Sequence, residues 1–476
     1  MISVQNHLPL LNGSNFLVAV MIATIFSSCA VSKKSTGDPN VQIIKADTDK
    51  NSKPAENKDN KNTPKTPEKR VVKTDTLKWK DVSPSYKPIQ TGTAKKLDYY
   101  SKNNNNTQIF KDEYNITVLL PLDSDQSNLP SDTRFLQFYA GMLMGLEVLE
   151  QEGIQLKTKV IDTNEGNLGF NDRVEAILQN ETDLIIGPYE REDIKIMAEK
   201  CKEAGIPIVS PWQTSTKITS ENPYYIQIKP NLKDHFKKLA ESTVSQYKKG
   251  EVAIIVKNNK ESSSWVDHFQ ESVVKFSGIE NFYIPVYVDQ DTLRRGRSVF
   301  SKLLGSGLRA VILPSYAYDD EDYVIAVLKR LSGEKGSRSI DVYGMPLMYE
   351  SDKIDFEYYH TLNINVVMSE DGGQDITGIS KFKKDYLQKY GEIPGDEAIR
   401  AFDLIYYLGR NLWKHGKTFQ NFLWQEDEKY LLTRFNVMKS RADDSKVISD
   451  EDKFDYFENK HLHILNFKGN TWQIKY

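Results

Sequence analysis

Between residues 116 and 211 the chain alternates short apolar runs with helical segments, and that alternation leaves few folds open. The apolar runs cover residues 116–122, 159–162, 184–187 and 206–210. Residues 133–152 place Phe135, Phe138, Tyr139, Met142, Leu143, Leu146 and Leu149 at helical spacing, and shorter helical patterns cover 171–178 and 192–204. Strands alternating with helices predict an α/β fold, a parallel sheet covered on both faces. Gly141 and Gly145 stand one turn apart in the first helix and predict a close neighbour there. In such sheets ligands bind at the carboxyl ends of the strands. At those ends stand Asp123-Ser124, Asp162-Thr163-Asn164, Gly187-Pro188-Tyr189 and Pro211-Trp212-Gln213-Thr214-Ser215-Thr216.

Composition removes several function classes. The formal net charge is −3 over 476 residues, so nucleic-acid binding, which needs a basic face, is not expected. Only Cys29 and Cys201 are cysteines, too few for a disulfide framework or a cysteine metal cluster. Cys201 lies mid-helix in MAEKCKEAG with no local base, which predicts a buried, inert thiol. His360, His415, His461 and His463 form no HExxH pattern. His461 and His463 point the same way on a strand but lack a third ligand, so no metal is expected. Gly166 and Gly169 are too few for a nucleotide-binding loop. No catalytic residue and no cofactor is predicted, and the chain reads as a non-enzyme.

The first 112 residues are of a different kind. Residues 16–26 are apolar apart from Thr24, too short a run to span a bilayer of about 30 Å. The run suits the core of a signal peptide, residues 1–28. Residues 29–112 are rich in Lys, Asn, Asp, Thr and Pro, with no aromatic before Trp79. Such a composition cannot bury enough apolar surface to offset chain entropy, and it predicts a disordered tether. As a coil it would span roughly 50 Å, and stretched about 270 Å. Trp79, Tyr86, Tyr99 and Tyr100 suit a strap lying along the folded part.

Phe26-Ser27-Ser28-Cys29 resembles the lipobox of bacterial lipoproteins, which implies cleavage and lipidation at Cys29. Farther on, the order ITVLLPL, F-x-x-G-x-x-x-G-L, VIDTN, DLIIGP and EAGIPIVSP resembles the type I periplasmic binding proteins. It looks most like the branched-chain amino-acid receptors and their non-transport relatives. Later elements keep the match: YYIQIKP at 224–230, VAIIV at 252–256, AVIL at 310–313, VYG at 342–344 and YLQKYGEIPGDEAIRAFD at 386–403. A closing hairpin around Lys468-Gly469-Asn470 is expected to extend the second lobe. Residues 443–452 read as a solvated acidic loop.

The resemblance implies two lobes, one from 113–229 and 368–415, the other from 230–367 and 416–476. Its hinges are expected near Lys229-Pro230, Met368 and Lys414 to Lys417. It also implies lobe-one ligand groups at Tyr189 and at Trp212, Thr214 and Ser215, beside Ser210, with Asp123 and Ser124 at the first strand end. Thr214 or Ser215 suits equally the cap of a following short helix. The second lobe departs from the receptor pattern. Lys257 and Trp265 stand where an acidic residue and Tyr-Gly are usual, and Tyr316 heads an aromatic, acidic stretch at 316–322.

Two functions follow as expectations. One is a substrate-binding lipoprotein that takes a small polar ligand, such as an amino acid, to an ABC-type membrane permease. The other is a non-enzymatic outer-membrane lipoprotein that regulates peptidoglycan synthesis through contacts with a peptidoglycan synthase. Ala30, not Asp, follows Cys29, which by the same resemblance implies a lipid anchor in the outer membrane, facing the periplasm.

Overall fold

The computed structural model describes residues 108–122, 133–164, 169–178, 181–295, 298–370, 375–425, 427–442 and 453–475. Cys29, the signal segment, the tether as far as residue 107, Asp123, Ser124 and the acidic loop 443–452 lie outside them; the end of the expected tether, residues 108–112, instead docks on the first lobe, where the Ile109 carbonyl accepts the Lys417 N–H at 2.9 Å and Lys111 pairs with Asp183.

The opening alternation folds as expected: β1 (Glu113–Leu120), α1 (Thr133–Gln151), β2 (Gln155–Asp162), α2 (Phe170–Leu178), β3 (Leu184–Ile186), α3 (Arg191–Ala204), β4 (Ile208–Ser210) and β5 (Tyr225–Gln227). These strands pair in parallel, in the order β5-β4-β3-β1-β2. The chain then crosses to a second sheet. This is built from α4 (Leu232–Gln246), β6 (Val252–Val256), α5 (Lys260–Ser277), β7 (Ile284–Tyr287), α6 (Gln290–Arg295), α7 (Ser301–Gly305), β8 (Ala310–Leu313), α8 (Glu321–Glu334), β9 (Asp341–Gly344), α9 (Leu347–Glu350), α10 (Phe356–Thr361) and β10 (Asn363–Met368). It returns through α11 (Ile376–Tyr390) and α12 (Asp396–His415).

Each sheet carries helices on both faces. α1 and α12 bury Phe138, Met142, Phe402 and Ile405 against one face of the first sheet, and α2 and α3 bury Val174, Ile194 and Met197 against the other. The second sheet is covered likewise by two apolar clusters. Strands buried on both faces read as continuous apolar runs, and VAIIV of β6 is fully buried throughout. The two glycines of α1 have the neighbour their spacing predicts. A Cβ on Gly141 would overlap the Ala398 carbonyl oxygen, and one on Gly145 would overlap the Ile405 side chain, both on α12.

The segment 416–476 divides differently from the expected partition. β11 (Asp427–Lys429), β12 (Arg434–Ser440) and β13 (Tyr456–Asn459) extend the first sheet, giving β11-β12-β13-β5-β4-β3-β1-β2. β13 adds in parallel to β5, with Phe457 opposite Ile226. Only the hairpin β14 (His463–Lys468) and β15 (Thr471–Ile474) joins the second sheet, in the order β15-β14-β10-β9-β8-β6-β7. The third crossing therefore runs through Lys460 to Leu462, not Lys414 to Lys417. Lys417 stays at the base of the first lobe, where it and Lys111 pair with buried Asp183 at 2.9 and 2.7 Å.

A buried acid explains why residues 427–440 stay with the first lobe. Asp403 on α12 is fully buried and accepts the backbone N–H groups of Leu431, Leu432 and Thr433 at 3.2, 2.8 and 2.8 Å. Burial pushes its carboxyl up to about 7, against the pull of those three donors. The folded chain thus keeps a proton that the unfolded chain releases near 3.8. Below about pH 4 this group costs nothing, and its contribution to stability falls as pH rises towards 7, by up to about 4 kcal/mol. Asp403→Asn keeps an acceptor without the ionisation. In urea unfolding the variant should gain on the wild type between pH 4 and 7, and a difference independent of pH would contradict this role.

Candidate functional site

The loops at the carboxyl ends of β3 and β4 face the second lobe. Gly187 ends β3 at φ +87°, and a Cβ there would collide with the Leu119 carbonyl, so the turn requires glycine. The loop it releases places Tyr189 beside Trp212 from the next loop. The ring centroids of Tyr189 and Trp212 lie 5.7 Å apart, and Phe135 and Phe138 of α1 meet Trp212 at 5.6 and 4.9 Å. The Arg134 guanidinium lies over the rings of Phe135 and Tyr189. Gln213 Nε2 donates to the Tyr189 carbonyl at 2.7 Å, and the Trp212 indole N–H donates to Glu397 Oε1 at 2.6 Å. Two predicted ligand residues are thus brought together, but they are engaged with each other and with lobe one.

The remaining predicted residues do not join them. Ser215 Oγ accepts the Lys217 N–H at 3.2 Å, closing a local turn, and the Thr214 carbonyl accepts the Leu232 N–H at 3.3 Å. No helix lies between β4 and β5 for either to cap. Ser210 is fully buried at the end of β4, with its hydroxyl against the Tyr225 phenol. Tyr316 belongs to the second lobe, where its ring leans on Trp265 at 5.6 Å.

Between the lobes lies a charged cluster that sequence reasoning missed. Arg400 on α12 donates through Nε to Glu370 Oε1 at 3.1 Å and through Nη1 to Glu397 Oε2 at 3.1 Å. Its Nη2 lies 3.6 Å from Glu350 Oε1 at the end of α9 in the other lobe. Glu370 sits in the second crossing, just past β10. Burial alone would raise its carboxyl, yet Arg400 and Lys229 hold it below the usual carboxylate range. Burial works against the charge of Arg400, and the facing carboxylates more than offset it. The one signal available in sequence was Glu397 and Arg400 at i,i+3 on a helix. The cavity left among Phe138, Trp212, Lys229, Ser369, Glu370 and Arg400 measures about 30 Å³, room for about two waters.

Residues 103–410 match the family model described as the receptor family ligand binding region. The chain belongs to this family. A search of curated proteins gives no match. Among solved structures, an ABC transporter substrate-binding protein of Desulfitobacterium hafniense in complex with Leu aligns at 14% identity over 76% of this chain and 100% of its own, with TM-score 0.51. A branched-chain amino acid ABC transporter periplasmic ligand-binding protein of Burkholderia xenovorans aligns at 11% over 76% and 94%, with TM-score 0.51. LpoA of Haemophilus influenzae aligns at 12% over 78% of this chain and 60% of its own, with TM-score 0.50. At such identities the likeness establishes the two-lobed type I periplasmic-binding fold, and the site must speak for the function.

Where a receptor-family clamp needs groups free to meet a ligand, this member pairs them. Lys257, after the first strand of lobe two, is bound to Asp320 and lies over the Tyr323 ring at 5.4 Å. All three crossings are tied by charge. Glu458, fully buried on β13, accepts from Asn231 N at 2.6 Å, Asn231 Nδ2 at 2.7 Å and Lys460 Nζ at 2.7 Å. Asn231 caps the first helix of lobe two, accepting the Asp234 N–H at 3.0 Å, and Lys460 also bonds Asp234 at 2.6 Å. Glu370 forms a β-bridge with Thr433, so the second crossing is tied to the loop that Asp403 holds.

Cys201 is fully buried and its thiol is pushed up by burial. His463 Nδ1 and His461 Nε2 stand 3.0 Å apart. Among the described residues no group of three His, Cys, Asp or Glu is placed to hold a metal, and no helix is long and apolar enough to cross a membrane.

Trp212→Phe keeps the ring packing and removes the indole donor, leaving Glu397 with Arg400. Unfolding free energy from urea titration should fall by about 1.5–3 kcal/mol, the range for a hydrogen bond to a charged group. A variant as stable as the wild type would show that this bond does not hold the loop.

Proposed function

We propose that this chain is a non-enzymatic binding protein of the cell envelope that works through contacts with a protein partner. It would be lipidated at Cys29 and carried on the tether 29–112 from the outer membrane. One observation carries the reading: in the cleft where the family takes a ligand, these groups are paired within the chain itself. Trp212 and Arg400 line its floor, Glu370 and Glu397 are paired with Arg400, and the pocket among them at the hinge measures about 30 Å³. The tied crossings support a hinge whose connections are held by charge. A peptidoglycan synthase is the partner class that resemblance to the activator lipoproteins suggests.

A second reading is favoured by the coverage of substrate-binding proteins of amino-acid ABC transporters over nearly their whole length. In it the protein takes a small polar ligand and delivers it to a permease. Thermal denaturation of the purified full chain with each amino acid, and with muropeptides, separates the two. Ligand at a hundred times its dissociation constant would stabilise by about 2.7 kcal/mol. We expect no shift with any of these compounds and specific cross-linking to a peptidoglycan synthase in envelopes. A dose-dependent rise with one amino acid would replace our reading with the second.

The anchor is tested separately. Cys29→Ala should move the protein from the membrane fraction to the soluble fraction on fractionation. Retention of the variant in membranes would refute lipidation at Cys29.

A further inference from the structure

The two lobes meet across the cleft through an ion pair whose halves differ in kind. Arg400 is held on the first-lobe side by two bonds of 3.1 Å, from Nε to Glu370 and from Nη1 to Glu397. Those carboxylates are 10% and 12% exposed, and Arg400 itself is 18% exposed. Its reach to the second lobe, from Nη2 to Glu350, is the long leg at 3.6 Å, and Glu350 is 22% exposed. The other oxygen of Glu350 accepts the Tyr318 hydroxyl at 2.8 Å, and Tyr318 is 63% exposed.

We propose that Arg400 is a built-in latch, an internal cation that holds the lobes together through Glu350 and releases them at that leg alone. Three observations fit together. A buried charge left unpaired is costly, so a junction that opens must leave each buried group its partners. Breaking the Arg400–Glu350 leg does so: Arg400 keeps Glu370 and Glu397, and Glu350 keeps Tyr318 while turning to water. Opening at the Arg400–Glu370 bond would instead take the guanidinium from a buried carboxylate.

The hinge is built for the same motion. Glu370 lies in a crossing, so the latch cation is anchored on the strand connection about which the lobes would turn. Tyr318 and Glu350 are both on the second lobe and move together as the receiving half. The lobes therefore have two electrostatically complete arrangements, latched and released, and anything that favours released Glu350 shifts their populations. The latch does not depend on the partner or ligand assigned to the protein.

Hydrogen–deuterium exchange of the full chain tests the latch. Glu350→Gln removes the charge at the receiving half and touches none of the groups that hold Arg400 in place. Exchange should rise several-fold in the segments facing the cleft, residues 211–217, 316–320 and 347–352, with β1, paired on both sides inside the first sheet, unchanged. Tyr318→Phe, which only loosens Glu350, should give a smaller rise in the same segments. Wild-type exchange in both variants would overturn the proposal. So would a rise spread equally over β1, because that is loss of stability rather than release of a latch.

Discussion

A carboxylate taken out of water must be given donors, and three such carboxylates hold this molecule together where its lobes join. Asp403 is given backbone N–H groups, Glu458 an asparagine and a lysine, and Glu370 the guanidinium of Arg400. Each solution fixes a different connection. Asp403 binds the loop before β12 to α12, and so adds three strands to the first sheet. Glu458 fixes the first and third crossings by holding Asn231 and Lys460 at once. Glu370 ties the second crossing to Arg400. Removing Lys460 from Glu458 or Arg400 from Glu370 would leave an uncompensated charge, which costs far more than an exposed ion pair contributes.

The architecture was legible wherever the signal was local. Apolar runs between helical patterns located β1, β3, β4, β6, β8 and β9, whose buried residues form continuous runs, whereas β2 (Gln155–Asp162) begins four residues before the expected 159–162 because its first half is polar and half-exposed. Gly141 and Gly145 announced the contact with α12, since a bare Cα serves little purpose within a helix except close approach. The Gly469-Asn470 turn marked the last hairpin. The strands 427–459 escaped for the opposite reason. β11 and β13 are only three and four residues long, and β13 is placed by pairing with β5, more than two hundred residues earlier. No periodicity can reveal a partner at that distance.

The site was legible only in outline. Resemblance pointed to the loops of Tyr189 and Trp212, and both lie at the cleft. It was silent on what would meet them, because Glu397 is reached by Trp212 across 185 residues of sequence. Arg400 gave no sign beyond an i,i+3 spacing from Glu397, since its other two carboxylates come from a crossing and from the opposite lobe. Of the polar groups in the predicted loop, the Ser215 hydroxyl turned to a backbone duty, as short hydroxyl side chains readily do.

A ligand entering a cleft must repay the partners it displaces, and the repayment is harder where charged groups are already matched. Here the satisfaction is internal and specific. The indole N–H has Glu397, the Arg400 guanidinium has three acids, and Lys257 has Asp320. An incoming amino acid would have to displace an aromatic cluster and break charge pairs in a cavity with room for about two waters. Its own carboxylate and ammonium would then have to repay desolvated partners that are already matched. The same cluster leaves one leg long and near the surface, at Glu350 beside exposed Tyr318. Whatever acts on this protein meets least resistance at the mouth of the cleft on the second lobe, and that places its sensitive point on the rim rather than in the interior.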